Sequence, residues 1–161
     1  ALIIENLPKS VQNGSDLIAR GNMLISATMG ATAFQKGLGM THSMAHPLSA
    51  KFGLHHGLAN ALCLPICIEH TIKKSKSIPK LKIKLKQVTK LFNNTKSINE
   101  LPNLVQNFIE NLGIKMGLNN YEIKASNLKQ LSQLAFEDVC HLTHPYSVTT
   151  GDFNQCFKGA L

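Results

Sequence analysis

Gly39-Met40-Thr41-His42-Ser43-Met44-Ala45-His46-Pro47-Leu48, followed by His55-His56-Gly57-Leu58-Ala59-Asn60-Ala61 and then Leu64-Pro65, is the stretch on which the fold turns. His42 and His46 stand four apart, a step that puts both rings on one face of a helix, and His56 follows fourteen residues after His42. We expect a short helix from Met40 to about Ala50, with Pro47 awkward near its end, and a turn at Phe52-Gly53. A second, strongly apolar helix then runs from His56 through Ala61, Leu62 and Ile66 towards His70, kinked at Pro65. Imidazole is the commonest metal ligand, and its ordinary titration lies near neutrality. Histidines packed this densely among alanine, leucine and methionine are not there to solvate a surface: they are either satisfied core residues or ligands of a divalent iron or zinc ion.

Upstream, Ala1 to Pro8 reads as the end of a helix closed by Pro8. Ser15-Asp16 offers an N-cap, and Leu17, Ile18, Leu24, Ile25, Met29 and Phe34 predict the buried stripe of a helix that ends at Gly37 and Gly39. Downstream, Leu81, Leu85, Val88 and Phe92 recur at helical spacing between Pro79 and Phe92. Leu81, Ile83 and Leu85 also alternate as a strand would, but helix is the preferred reading. Ser97-Ile98-Asn99-Glu100 has the capping-box pattern, and behind it Leu101, Leu104, Val105, Phe108, Ile109 and Leu112 make an amphipathic helix ending at Gly113. After turns around Gly117-Leu118-Asn119-Asn120, a helix opens with Leu128, Leu131, Leu134 and Ala135 and is broken off by Pro145. Thr149-Thr150-Gly151-Asp152 leads into a last helix carrying Phe153, Cys156 and Phe157. With no convincing strand, repeat or low-complexity linker, the 161 residues predict one all-α helical bundle.

Composition narrows the function. The chain is 43% apolar without tryptophan, so its core is aliphatic, and no apolar run is long enough to cross a bilayer. Four cysteines, Cys63, Cys67, Cys140 and Cys156, give no disulfide framework, and a reducing cytoplasm is the simplest reading. The formal charge of +8 is localised: eight of the seventeen basic residues fall between Lys73 and Lys90. Such a segment could neutralise phosphates, which makes a basic helical nucleic-acid-binding module the rival reading. No arginine or aromatic is interleaved to read or stack on bases, so a solvated helix face is preferred and nucleic acid is not the expected partner.

The histidine segment is short of charge, since no acidic residue lies between Asp16 and Glu69. A carboxylate to complete a metal site must come from another part of the fold or from outside these residues. Glu137 with His141, four apart, and Cys63, Cys67 with His70 can also be written as ligand sets. Surface hydrogen bonding and core packing are the preferred readings of the two.

Gly-x-x-His-x-x-x-His at Gly39 to His46, then His-Gly-x-x-Asn-Ala at His56 to Ala61 and Leu64-Pro65, resembles the signature of iron-containing alcohol dehydrogenases. Ala19-Arg20, Met23-Leu24 and Ala33-Phe34 before it, and Ala135, Asp138 and Cys140 before Pro145, extend the resemblance along the chain. The fold it implies is the all-α C-terminal domain of the dehydroquinate synthase-like and iron-containing alcohol dehydrogenase fold. It implies that His42 and His56 are metal ligands and that His46 lies beside nicotinamide and substrate as a proton relay; it gives His55 and His70 no role. The expected cofactors are Fe²⁺, or Zn²⁺ in a glycerol-dehydrogenase-like variant, with NAD or NADP bound by an N-terminal nucleotide-binding domain. That domain, and an Asp-x-x-x-His ligand pair, would lie before Ala1, so residues 1–161 are expected to be a helical metal-binding domain inactive alone. The implied reaction is hydride transfer between a primary alcohol and its aldehyde, in a cytoplasmic enzyme that is a homo-oligomer when full length. One departure stands out: where the family commonly has Asn-Pro-Arg, this chain has His144-Pro145-Tyr146.

Overall fold

A computed structural model describes residues 1–92 and 97–161, and every regular element among them is helical. The eight α-helices are α1 (Leu2–Gln12), α2 (Leu17–Ala33), α3 (Met40–Phe52), α4 (His56–Lys74), α5 (Pro79–Thr89), α6 (Leu101–Glu110), α7 (Leu128–Glu137) and α8 (Thr150–Ala160). Short 3₁₀ turns link them, of which Val139–Thr143 matters most for the site.

The helix α3 is the centre of the bundle. It packs against α4 and α7, while α4 also meets α6 and α8, and α7 meets α8. Met40, Met44 and Leu48 recur every four residues and are fully buried. They meet Leu62 and Cys63 of α4, Leu131 and Ala135 of α7, and Phe153 and Phe157 of α8. A smaller cluster, Ile72, Leu85, Leu101, Val105 and Ile109, joins α4, α5 and α6. With Met40, Met44 and Leu48 spent on the core, the same periodicity turns His42 and His46 to the opposite side of α3.

Several expectations change. Pro8 does not end α1, which runs on to Gln12; the ring removes one backbone donor, and its fixed φ is compatible with helix. As expected, α3 runs through Pro47, ending at Phe52, and α4 passes Pro65, ending at Lys74. Ser97 accepts from the Asn99 N–H and opens a 3₁₀ turn over Ile98–Glu100, with α6 beginning only at Leu101. The helix expected to last until Pro145 stops at Glu137 because Asp138 adopts extended backbone and caps the next turn with its own side chain.

The largest correction concerns α2. Leu17, Ile18 and Leu24 are 78%, 79% and 72% exposed, and Ile25, Met29 and Phe34 are exposed with them. The reason lies in the partner: α2 packs on α1 through small and polar groups. Ala19 and Ser26 are its buried residues, and the Asn22 amide donates to Asn6 Oδ1 at 3.0 Å. The larger apolar face of the helix points the other way.

Two features lock Val139–Thr143 onto the start of α3. The Gly39 N–H donates to the Cys140 carbonyl at 3.0 Å, and the Met40 N–H reaches His144 Nδ1 at 3.4 Å. Gly37 has φ 90° and lies so close to Thr143 that a Cβ there would strike its side chain. Gly53, with φ 66°, has open space around it. Gly37→Ala is therefore expected to cost about 2–4 kcal/mol, from left-handed strain plus overpacking, and Gly53→Ala only about 1 kcal/mol, by thermal or denaturant unfolding.

His144 generates a second prediction. Burial first, then the charges of His70 and His141, push its pKa down to about 4 from the ordinary 6.5. The folded state thus favours the neutral ring, so its contribution is complete above pH 6.5 and is lost as pH falls through that window towards 4. Unfolding measured across it should show a loss on the order of 2 kcal/mol that shrinks in His144→Gln.

Candidate metal centre and proton relay

Three histidines meet where α3 passes the start of α4. His42 and His46 come from the outer face of α3, and Gly53, in the left-handed region, turns the chain so that His56 opens α4 beside them. The ring centroids of His42 and His56 lie 5.3 Å apart, those of His46 and His56 also 5.3 Å with the planes 25° apart, and those of His42 and His46 6.0 Å. Phe34 meets His42 edge-on at 6.0 Å. Burial, then the charges of His56 and His46, lower the His42 pKa, which keeps that imidazole in the neutral form a metal requires. The Asn60 amide donates to His56 Nε2 at 3.1 Å and to the His56 carbonyl at 3.0 Å, while Asn60 Oδ1 is buried without a partner. Two imidazoles on adjacent helices, with a buried acceptor beside them, are a donor set that suits a divalent transition metal.

The carboxylate missing from the histidine segment arrives from the far end of the chain. Asp138 Oδ2 accepts from His46 Nδ1 at 2.7 Å, and Oδ1 accepts from the Ser43 hydroxyl and the Cys140 N–H, both at 2.8 Å. Burial would raise the Asp138 carboxyl, but the hydrogen bonds from His46, the Cys140 amide and Ser43 outweigh it and hold the group well below the usual carboxylate range. An ionised carboxylate only accepts, so His46 carries its proton on Nδ1 and, when neutral, presents Nε2 as a base. Burial first and then Asp138 push the Cys140 thiol up to about 11.

The sequence-predicted residues His42, His46 and His56 are therefore brought together. Asp138 joins them from another element: the sequence names it only within the family resemblance, although the absence of acid between Asp16 and Glu69 calls for a carboxylate from elsewhere in the fold. His55 caps α4, its Nδ1 accepting from the Gly57 N–H at 3.2 Å. The minor ligand sets are not assembled: His141 Nε2 bonds the Phe136 carbonyl, and Glu137 accepts from Gln133. Cys63 and Cys67 are buried in the core, and His70 bonds Tyr146 and Asp152.

Comparison with known proteins gives the family of the chain. The model of the Fe-containing alcohol dehydrogenase family, C-terminal part, matches residues 1–161. The chain is 31% identical over 162 residues to the NAD-dependent methanol dehydrogenase of Bacillus methanolicus, covering 99% of this chain and 42% of that protein. It is 33% identical over 155 residues to the probable alcohol dehydrogenase EutG of Escherichia coli, covering 90% and 36%. Among solved structures, an alcohol dehydrogenase from Oenococcus oeni superposes with a TM-score of 0.86 at 25% identity, over 99% of this chain and 42% of that one. A 1,3-propanediol oxidoreductase gives 0.88 at 24% identity with the same coverage and shows likeness of fold. The chain spans about two fifths of the length of the relatives it matches. With the family model matched from end to end, the chain belongs to the iron-containing alcohol dehydrogenases and corresponds to their C-terminal part.

Proposed function

We propose that this chain is the helical metal-binding domain of an NAD(P)-linked alcohol dehydrogenase, acting together with an N-terminal nucleotide-binding domain. The observation that carries the reading is the convergence of three imidazoles within 5.3–6.0 Å of one another, one of them backed by a half-buried carboxylate. In this reading His42 and His56 hold a divalent ion, Fe²⁺ or Zn²⁺, and the other ligands come from outside these residues. When bound, the ion supplies Lewis acidity toward an alcohol oxygen and the nicotinamide supplies a two-electron acceptor.

The chain's own residues handle the proton. His46, with Nδ1–H tied to Asp138, receives the hydroxyl proton of a primary alcohol at Nε2. Asp138 stabilises the imidazolium that results and fixes the ring's orientation, and Ser43 and the Cys140 amide hold Asp138 in place. His46 is 39% exposed along its side chain, so the proton can pass on to solvent. The exposed apolar face of α2 supports a further domain packing there. No described helix is long and apolar enough to cross a membrane, and the four cysteines are free. Those features support a cytoplasmic enzyme, which we take to be a homo-oligomer.

The test is alcohol-dependent NAD(P)⁺ reduction by the whole enzyme. The rate is expected to vanish on chelation and return with Fe²⁺ or Zn²⁺, and the isolated 161-residue chain is expected to show none. Turnover by the isolated chain, or none by the whole enzyme, overturns the reading. Within that enzyme His46→Ala should lower kcat roughly 10²–10⁴-fold with metal content unchanged. His42→Ala and His56→Ala should instead lose the metal, measured by elemental analysis. Asp138→Asn, which offers an amide where Nδ1 needs an acceptor, should lower kcat about 10–10³-fold with little change in KM.

A further inference from the structure

We propose that His46, Asp138 and Cys140 form a second cation site, for a thiophilic divalent ion of the zinc type, distinct from the His42 and His56 pair. Each residue offers one ligand atom, and these atoms all lie within 4.8 Å of one another, the one such set among the described residues. A nitrogen, a carboxylate oxygen and a sulfur together favour zinc over the hard cations, which prefer oxygen alone. Carboxylate and thiolate would balance the two charges of the ion.

The set is held ready by the fold. Cys140 is pinned on both sides, its N–H donating to Asp138 Oδ1 and its carbonyl accepting from the Gly39 N–H. Asp138 is the shared member of the set: its Oδ2 lies 2.7 Å from His46 Nδ1, and the Cys140 sulfur lies within 4.8 Å of the ligand atoms of both. A cation takes the place of the ring proton on His46 Nδ1 and of the thiol proton. Access is open: a cavity of about 300 Å³ borders His46 and Asp138, with Lys51 and Glu137 on its walls, and leaves room for water as a fourth ligand.

Proton balance sets the consequence. On binding, Cys140 releases its thiol proton to solvent, and His46 exchanges its ring proton from Nδ1 to Nε2 so that the Nδ1 lone pair can reach the ion. His46 Nε2 then carries a hydrogen and cannot accept the proton of an alcohol. Occupancy of this site would switch off the relay, a consequence that rests on the dehydrogenase reading; the binding itself does not.

Co²⁺, a spectroscopic stand-in for zinc, distinguishes the two. Titrated into the 161-residue chain, it should raise a near-ultraviolet sulfur-to-cobalt charge-transfer band that Zn²⁺ removes. The band should persist in the double variant His42→Ala, His56→Ala. It should be lost in Cys140→Ser and Cys140→Ala, with helical circular dichroism unchanged in at least one of the two. Absence of the band in the parent chain, its survival in both Cys140 variants, or its loss with His42 and His56 overturns the site. No nucleotide or alcohol enters this measurement, so a chain that binds cobalt here while the whole enzyme oxidises no alcohol refutes the dehydrogenase reading alone.

Discussion

Asp138 takes hydrogen bonds from Ser43, His46 and the Cys140 amide at once, and to do so it must leave the helix that carries it there. Its backbone is extended at φ −75° and ψ 132°, so α7 stops one residue earlier and the chain turns across the start of α3. Three oriented donors on one carboxylate offset the cost of burying it, since each bond to an ionised group is worth about 1.5–3 kcal/mol. The same contacts tie residues more than ninety positions apart in sequence, fix the tautomer of His46 and place Cys140. Remove the carboxylate and His46 loses its orientation, while the Cys140 N–H loses its acceptor.

Much of this architecture could be read from the chain. The repeat of Met40, Met44 and Leu48 against His42 and His46 is a pattern that only a helix reconciles, because one face is spent on the core and the other is free for ligands. The glycines at 37, 39 and 53 marked the corners correctly, and each adopts positive φ. What periodicity could not give was the end of α7. Leu128, Leu131, Leu134 and Ala135 promise a helix, and nothing in that spacing says that Asp138 will prefer a carboxylate's long-range partners to the next helical turn. A local signal cannot announce a contact whose other half lies in another element.

The exposed face of α2 teaches the complementary lesson. Its apolar residues are as periodic as those of α3, yet Leu17, Ile18 and Leu24 stand in solvent while Ala19 and Ser26 are covered. Periodicity identifies a face that wants a partner and leaves open which element supplies it. Asn6 is the buried residue that α1 contributes, and Asn22 of α2 donates to it, so the closed side of the hairpin carries a polar contact. Burial is a property of two surfaces, and the sequence of one helix describes only the first.

His144-Pro145-Tyr146, where the family resemblance implies Asn-Pro-Arg, sits in a corner that supplies its own polar partners. Asp152 is held down to about 2, where burial is outweighed by bonds from Thr149, His70 and Lys74. Being ionised, it accepts from His70 Nε2 at 3.0 Å and from Lys74 at 3.3 Å. That places the His70 proton on Nε2 and leaves Nδ1, when the ring is neutral, to accept from the Tyr146 hydroxyl at 2.9 Å. Donors from His70 and Lys74 of α4 thus face the carboxylate in the first turn of α8, and the tyrosine hydroxyl finds its partner on the same helix. The polar demands of this corner are met by residues that contact neither His42 nor His56. The polar groups around Tyr146 are therefore satisfied between α4 and α8, and the three imidazoles lie together on the other side of α3.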